Sequence, residues 1–336
     1  MISGLVAAAA IAFFLLGGAT ASKKKPTHSI ADLIRRPATT TTTMTSQPST
    51  TSTTIPPTTR ANGAPPPTNM PPPPTTTPTV PAPASGPRTS EHYTVNGNIS
   101  GSTYVAGSDG FNVADVSSNA ETEALPAGVK GLEWIGSCAG ATPSFQSTIL
   151  SFVGDPKVFG FYLMDEPDPS SCPAANLKAE SDWIHSKDPG TYTFIVELDR
   201  SSADHPSYQG GYNPANSDID LYGLDPYPCR SENPASAPCA YAWLGLAVSA
   251  AEAEGIPLAD IVPVYQTFGG GTWADDGGGS YQLPTAAQEA AILSTWGSLV
   301  PTPVFDYAYS WGSQNGDQSL NGSSALQQVL LAHNQG

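Results

Sequence analysis

The sequence predicts an α/β chain folded as one compact (β/α)8 barrel of the TIM type behind an extended stalk. Three observations predict it. Seven short apolar runs rich in β-branched or aromatic residues recur from residue 111 onward, with helical stretches between them. Once a Thr/Pro-rich segment is set aside, residues 91–336 remain, and about 250 residues is the usual size of such a barrel. No G-x-G-x-x-G follows the first strand and no P-loop occurs, so the open nucleotide-binding sheet lacks its signature.

The chain begins with an uncharged apolar run at 4–21 that ends in Ala19-Thr20-Ala21. Apolar residues followed by small ones at A-x-A spacing are expected of a cleaved secretory signal. A membrane anchor is the alternative, since eighteen residues is near the lower limit for a span and Lys23-Lys24-Lys25 follow the run. Residues 37–90 hold 18 Thr and 15 Pro. Such a segment buries too little apolar surface to offset its ordering entropy, so residues 22–90 are expected to form a disordered linker.

Candidate strands follow at 111–116, 129–135, 158–164, 192–198, 219–224, 261–267 and 304–310, with an eighth sought in 92–106, where Tyr104-Val105 is the best core. Helices are expected near 143–153, 172–187, 238–254, 284–298 and 322–333. Each apolar run is continuous rather than alternating, as parallel strands covered on both faces require.

Charge narrows the ligand. Residues 1–90 carry seven Lys/Arg and one acid, Asp32, whereas the remainder carries six basic residues against 28 acids. A domain this acidic is a poor binder of phosphate backbones, which excludes nucleic acid as a partner. Charged residues make up 12% of the chain, and a surface dominated by hydroxyls and amides suits a neutral polar ligand. The four cysteines, Cys138, Cys172, Cys229 and Cys239, form no C-x-x-C and have no His at ligand spacing, so a zinc site is not expected. Of the three pairings, Cys138–Cys172 and Cys229–Cys239 are favoured, as structural disulfides of an oxidising compartment. The expected location is therefore secreted or cell-surface, with wall or membrane association through the N-terminal segment. The expected state is a monomer. The five histidines show no clustering, and neither metal nor cofactor is expected.

In a barrel of this type the functional residues sit where strands end. Strand 158–164 ends in Asp165-Glu166-Pro167, strand 192–198 contains Glu197, and strand 219–224 runs from Tyr222 into Asp225-Pro226-Tyr227. Strand 261–267 carries Gln266, and the last strand carries Asp306 and Tyr309 before Trp311. Carboxylates, an amide and aromatic rings on one rim are what sugar hydrolysis needs. One carboxyl group protonates the leaving oxygen, and a second attacks or activates water. Each residue also has a purely structural alternative. Asp165 and Glu166 can cap a helix, Glu197 can pair with Arg200, Asp225 can brace its turn, and the aromatic residues can be core. Trp134 and Trp296 read as core.

The run VFGFYLMDEPDP resembles the acid/base strand of the large clan of (β/α)8 retaining glycosidases, whose hallmark is Asn-Glu-Pro at a strand end. Trp311 is similar to that clan's sugar-floor tryptophan. The resemblance implies Glu166 as general acid/base. Asp165 stands where the clan has Asn, and Gln266 where the clan places its nucleophilic Glu, so double displacement is not implied. The expected function is a secreted glycoside hydrolase with Glu166, Asp225 and Asp165 catalytic and Glu197, Tyr222, Tyr227, Gln266, Asp306, Tyr309 and Trp311 binding a carbohydrate substrate. Substrate assistance by an N-acetyl group, oriented by Asp165 or Asp225, is one expected route. The alternative is a non-catalytic carbohydrate-binding barrel that has lost its nucleophile. No G-x-S-x-G elbow supports a serine hydrolase.

Overall fold

Eight parallel strands close on themselves in a computed structural model that describes residues 86–275 and 278–336. They are β1 (His92–Thr94), β2 (Val113–Val116), β3 (Lys130–Trp134), β4 (Val158–Asp165), β5 (Tyr192–Val196), β6 (Leu221–Leu224), β7 (Ile261–Gln266) and β8 (Asp306–Tyr309). Each strand pairs with its sequence neighbour, and β1 closes the ring against β8 with His92 opposite Asp306. Around them run α1 (Asn119–Ala124), α2 (Pro143–Leu150), α3 (Ala174–Lys187), α4 (Pro214–Ser217), α5 (Ala242–Glu254), α6 (Ala286–Leu299) and α7 (Ser324–Asn334). The apolar run at 4–21 and the Thr/Pro-rich stretch up to residue 85 lie outside the described residues. Among the described residues no helix is long and apolar enough to cross a membrane.

The expected (β/α)8 barrel is present, with one correction. The first strand is His92–Thr94, not Tyr104-Val105. Tyr104 belongs to a small antiparallel hairpin, Ile99–Ser100 with Thr103–Tyr104, outside the ring. Three residues carry no usable periodicity, so this strand is defined by its two neighbours rather than by its own sequence. Residues 86–90 are also fastened to the barrel. Arg88 N–H donates to Pro301 O, and Thr89 Oγ1 to Val304 O.

The two faces of the strands build two cores. Tyr93, Val113, Leu132, Phe194, Val264, Phe305 and Tyr307 fill the barrel interior. Phe161, Ile195, Tyr222, Tyr265, Ala308 and residues of α5 to α7 form the layer between strands and helices. The interior is crowded at Gly223, where a Cβ would come within 2.9 Å of Val196 and 3.0 Å of Phe194. The helices start where the sequence supplies caps. Thr142 accepts from Phe145 N–H ahead of Pro143, and Thr285 forms a reciprocal capping box with Gln288. Both disulfides form as expected. Cys138–Cys172 ties the loop after β3 to the loop after β4, and Cys229–Cys239 clips the loop after β6.

Between the barrel wall and α7 lies a buried charged hub. Asp306 accepts from His92 Nδ1 at 2.8 Å, from His333 Nε2 at 2.7 Å and from the Tyr265 hydroxyl at 3.0 Å. Burial pushes the Asp306 carboxyl up, but the His92 charge and the hydrogen bonds from both imidazoles outweigh it and hold it below the usual carboxylate range. Burial lowers His92, yet the Asp306 carboxylate prevails and leaves its pKa raised. Two of the five histidines therefore do cluster, contrary to the sequence expectation, because β1 and α7 meet at the seam of the barrel. Their ligand atoms lie within metal-binding distance of one another, and each carboxylate oxygen is already engaged by an imidazole.

Among the described residues, Glu133, Glu180 and Glu289 are buried, and Asp115 half-buried, with no cationic side chain in a salt bridge to them. Burial raises Glu133 to about 8, although Thr122 donates to it, and raises Glu180 and Asp115 to about 7. Glu289, wholly buried on α6, is also pushed well up. An unfolded chain releases these protons near pH 4 to 5. Between about pH 5 and 8 the native state therefore holds more protons, and stability falls as pH rises. His92 has the same sign, since its contribution is lost as pH rises through its raised value. Asp306 acts oppositely, its contribution being lost as pH falls below about 4. Scanning calorimetry is expected to place the highest melting temperature near about pH 5, with a decline towards pH 8. A melting temperature that climbs from pH 5 to pH 8 contradicts this assignment.

Candidate active site

The C-terminal ends of the strands open into a cavity of about 720 Å3. Its acidic side is built by β4, whose last residues turn outward. Tyr162 donates its hydroxyl to Asp165 Oδ1 at 2.6 Å, which fixes the first carboxylate at the rim. Glu166 follows in a left-handed conformation, φ 43°, while its N–H still reaches Val196 O at 3.0 Å. A non-glycine residue held there costs about 1 kcal/mol or more, and such strain collects at functional positions. Asp168 lines the next loop and accepts from Ser170 N–H. Asp225, just after β6 and two strands round the ring from β4, lines the same cavity.

Seven aromatic side chains line the same cavity. Trp134 ends β3 and meets Tyr162 edge-on at 4.9 Å. The others are Tyr227, Phe268, Trp273, Tyr281, Tyr307 and Tyr309, with small and aliphatic residues of the loops after β3, β4 and β5 between the acids and the rings. Tyr227 packs edge-to-face on Phe268 at 5.0 Å and on Tyr281 at 5.5 Å. Behind them Arg230, itself buried, stacks between Trp243 and Tyr281 at 5.1 and 5.2 Å and donates from Nε to Tyr227 O. Tyr309 donates to Gln314 Oε1, and Gln314 passes the bond on to Asn96 Oδ1. Burial raises the hydroxyls of Tyr227, Tyr307 and Tyr309 well above the ordinary phenol range, so they stay protonated as donors. The buried indole N–H of Trp273 meets no acceptor among the described residues.

No family model matches the chain, nor does any curated protein. Solved structures do resemble it. One is a chitinase-like agglutinin from Robinia pseudoacacia, 14% identical, covering 74% of this chain and 99% of its own, with a TM-score of 0.46. A chitinase from Chromobacterium violaceum is 14% identical over 73% of this chain and 98% of its own, with a TM-score of 0.44. A GH18 chitinase from Flavobacterium johnsoniae is 8% identical over 67% of this chain and 87% of its own, with a TM-score of 0.43. At these identities the likeness is one of fold.

Of the residues singled out from sequence, Asp165, Glu166, Asp225, Tyr227 and Tyr309 come together around the cavity. Five others do not line it. Tyr222 points into the outer core, where its hydroxyl bonds Ser217 Oγ and Ile219 O. Asp306 is the first residue of β8 rather than its end and belongs to the histidine hub. Trp311 packs edge-on against Phe111 at 6.4 Å, beyond the wall rather than beneath the cavity. Gln266 is fully buried, its carbonyl accepting from Cys229 N–H and its amide donating to Cys229 O and Gln282 O. It braces two rim loops. Glu197 is buried behind the rim, where burial pushes its carboxyl well up against a hydrogen bond from Tyr212 N–H. Arg200 does not pair with it and donates to Gln209 O and Gly210 O instead.

Trp134, Phe268, Trp273, Tyr281 and Tyr307 were not singled out from sequence as site residues. Two carried a signal. Trp134 ends a strand, and Tyr307 stands two residues before Tyr309 on one face of β8. Trp296 is core, as expected.

Proposed function

We propose that the protein is a glycoside hydrolase, secreted or held at the cell surface as a monomer, with Glu166 as general acid and Asp225 as its carboxylate partner. The observation that carries this reading is the shared cavity. Glu166 at the end of β4 and Asp225 just after β6 line one space whose walls also carry seven aromatic side chains. Indole and phenol faces stack on the apolar faces of sugar rings, and phenolic hydroxyls donate to sugar oxygens. In the proposed reaction Glu166 gives its proton to the glycosidic oxygen as the C–O bond breaks, and the leaving sugar departs with that hydrogen. The charge developing at the anomeric carbon is met by Asp225, and water completes the hydrolysis, its proton returning to a carboxylate. Asp165, held by Tyr162, fixes the end of β4 next to the acid.

The test is to incubate the protein with a panel of polysaccharides, read new reducing ends, and follow the first-formed anomer by proton NMR. Cleavage with one anomer in excess is expected. A second reading, a carbohydrate-binding barrel without turnover, draws on Gln266, since the end of β7 offers an amide committed to loop bracing and no carboxylate. Binding to a glycan with no cleavage of any substrate selects that reading.

A further inference from the structure

The charge of the cavity narrows the substrate beyond its being a sugar. Among the described residues lining it are four acids, Asp165, Glu166, Asp168 and Asp225, and no Lys, Arg or His. Glycosidic cleavage needs two of the four. Asp165 is solvent-exposed at the rim and Asp168 half-buried beside it, and both line the cavity in addition to the pair assigned to cleavage.

The basic residues of the folded region all have places elsewhere. Lys130 begins β3 at the opposite face and pairs with Glu91. Lys157 precedes β4 and donates to main-chain carbonyls of Glu123 and Leu125. Lys178 pairs with Asp182 along α3, and Lys187 lies over Trp183 on the same helix. Arg200 is used by two carbonyls, and Arg230 is stacked behind Tyr281. A concave site with acids and low-dielectric aromatic walls concentrates cations and repels anions. The same tryptophan and tyrosine faces that stack on sugar rings also attract ammonium groups.

We propose that the substrate is a cationic glycan, a polymer of amino sugars whose amines are unacetylated and protonated, held with an ammonium group at Asp165 and Asp168. This rests on the carbohydrate reading above and adds a substrate class to it. Uronic-acid and sulfated glycans are excluded by the same charge, and neutral or N-acetylated glycans gain only the aromatic contacts.

The experiment compares three probes on the full chain: a glucosamine hexamer, the fully N-acetylated hexamer and a glucose hexamer. Binding is read by tryptophan fluorescence and calorimetry at about 0.05 M and about 0.5 M salt, and cleavage is scored separately by mass. The glucosamine hexamer is expected to bind at least about tenfold tighter than the other two at low salt. That preference should shrink at high salt, and Asp165→Asn and Asp168→Asn should each weaken the cationic probe several-fold, Asp168→Asn changing the glucose hexamer little. Equal or tighter binding of the neutral probes, or a preference indifferent to salt and to both substitutions, overturns the proposal. Cleavage of all three at similar rates also overturns it and leaves the glycosidase standing. A cationic preference without any cleavage keeps the ligand class and removes the hydrolase.

Discussion

Glu166→Gln is expected to lower hydrolysis of natural glycosides by about a thousandfold, the range in which a positioned general acid contributes. Gln keeps the length and shape of the side chain and the N–H bond to Val196, and it has no proton to give. Ligand binding and thermal stability should therefore stay close to wild type. Substrates with a good leaving group should suffer far less, because their leaving oxygen needs little protonation. Asp225→Asn should instead slow both kinds of substrate alike, since its proposed partner is the anomeric carbon and not the leaving oxygen. Rates on an activated aryl glycoside and on the natural oligomer, measured side by side for both variants, check the assignment. A fully active Glu166→Gln enzyme removes Glu166 from the role of acid.

Asp306→Ala is expected to cost about 3–5 kcal/mol of stability, the usual result of removing one partner from a buried ion pair. His92 and His333 would each be left with a buried N–H and no acceptor, as would the Tyr265 hydroxyl. For a domain of this size the melting temperature should fall by roughly 10 °C. The loss should be greatest in mildly acidic buffer, where His92 is charged. Urea unfolding at about pH 5.5 and at about pH 8 measures it. A loss below about 1 kcal/mol at both would show that the hub is energetically idle.

The barrel was legible because fully covered parallel strands write continuous apolar runs, and seven of the eight did so. The eighth, His92–Thr94, was not, because three residues running on through Val95 into Asn96-Gly97 look like the approach to a turn until β2 and β8 are in place. At the rim, Glu166 and Asp225 were legible because an acid that ends a wholly apolar strand needs a reason to be there. Tyr222, Asp306 and Trp311 were misread because nearness to a strand end does not say which side a residue faces. In β4 a register shift between Tyr162 and Met164 breaks the two-residue alternation, so counting along the strand misleads near the residues of greatest interest. Gln266 shows a different limit. An amide at a strand end reads as a ligand donor, and only the position of the disulfide loop reveals that its hydrogen bonds are already taken. Trp273 and Tyr281 arrive from a glycine-rich loop with no period at all.

The anchoring of residues 86–90 has an orientational consequence. Arg88 and Thr89 are bonded to Pro301 and Val304, which lead into β8, and a Cβ on Gly86 would collide with the His333 ring. All of these lie at the foot of the barrel, whereas the carboxylates open from its crown. Anything covalently joined ahead of residue 86 therefore pulls on the sole of the molecule. A load on that tether runs through the seam where first strand, last strand and last helix are pinned together by one aspartate. The cavity meanwhile opens at the other end of the strands, away from residue 86.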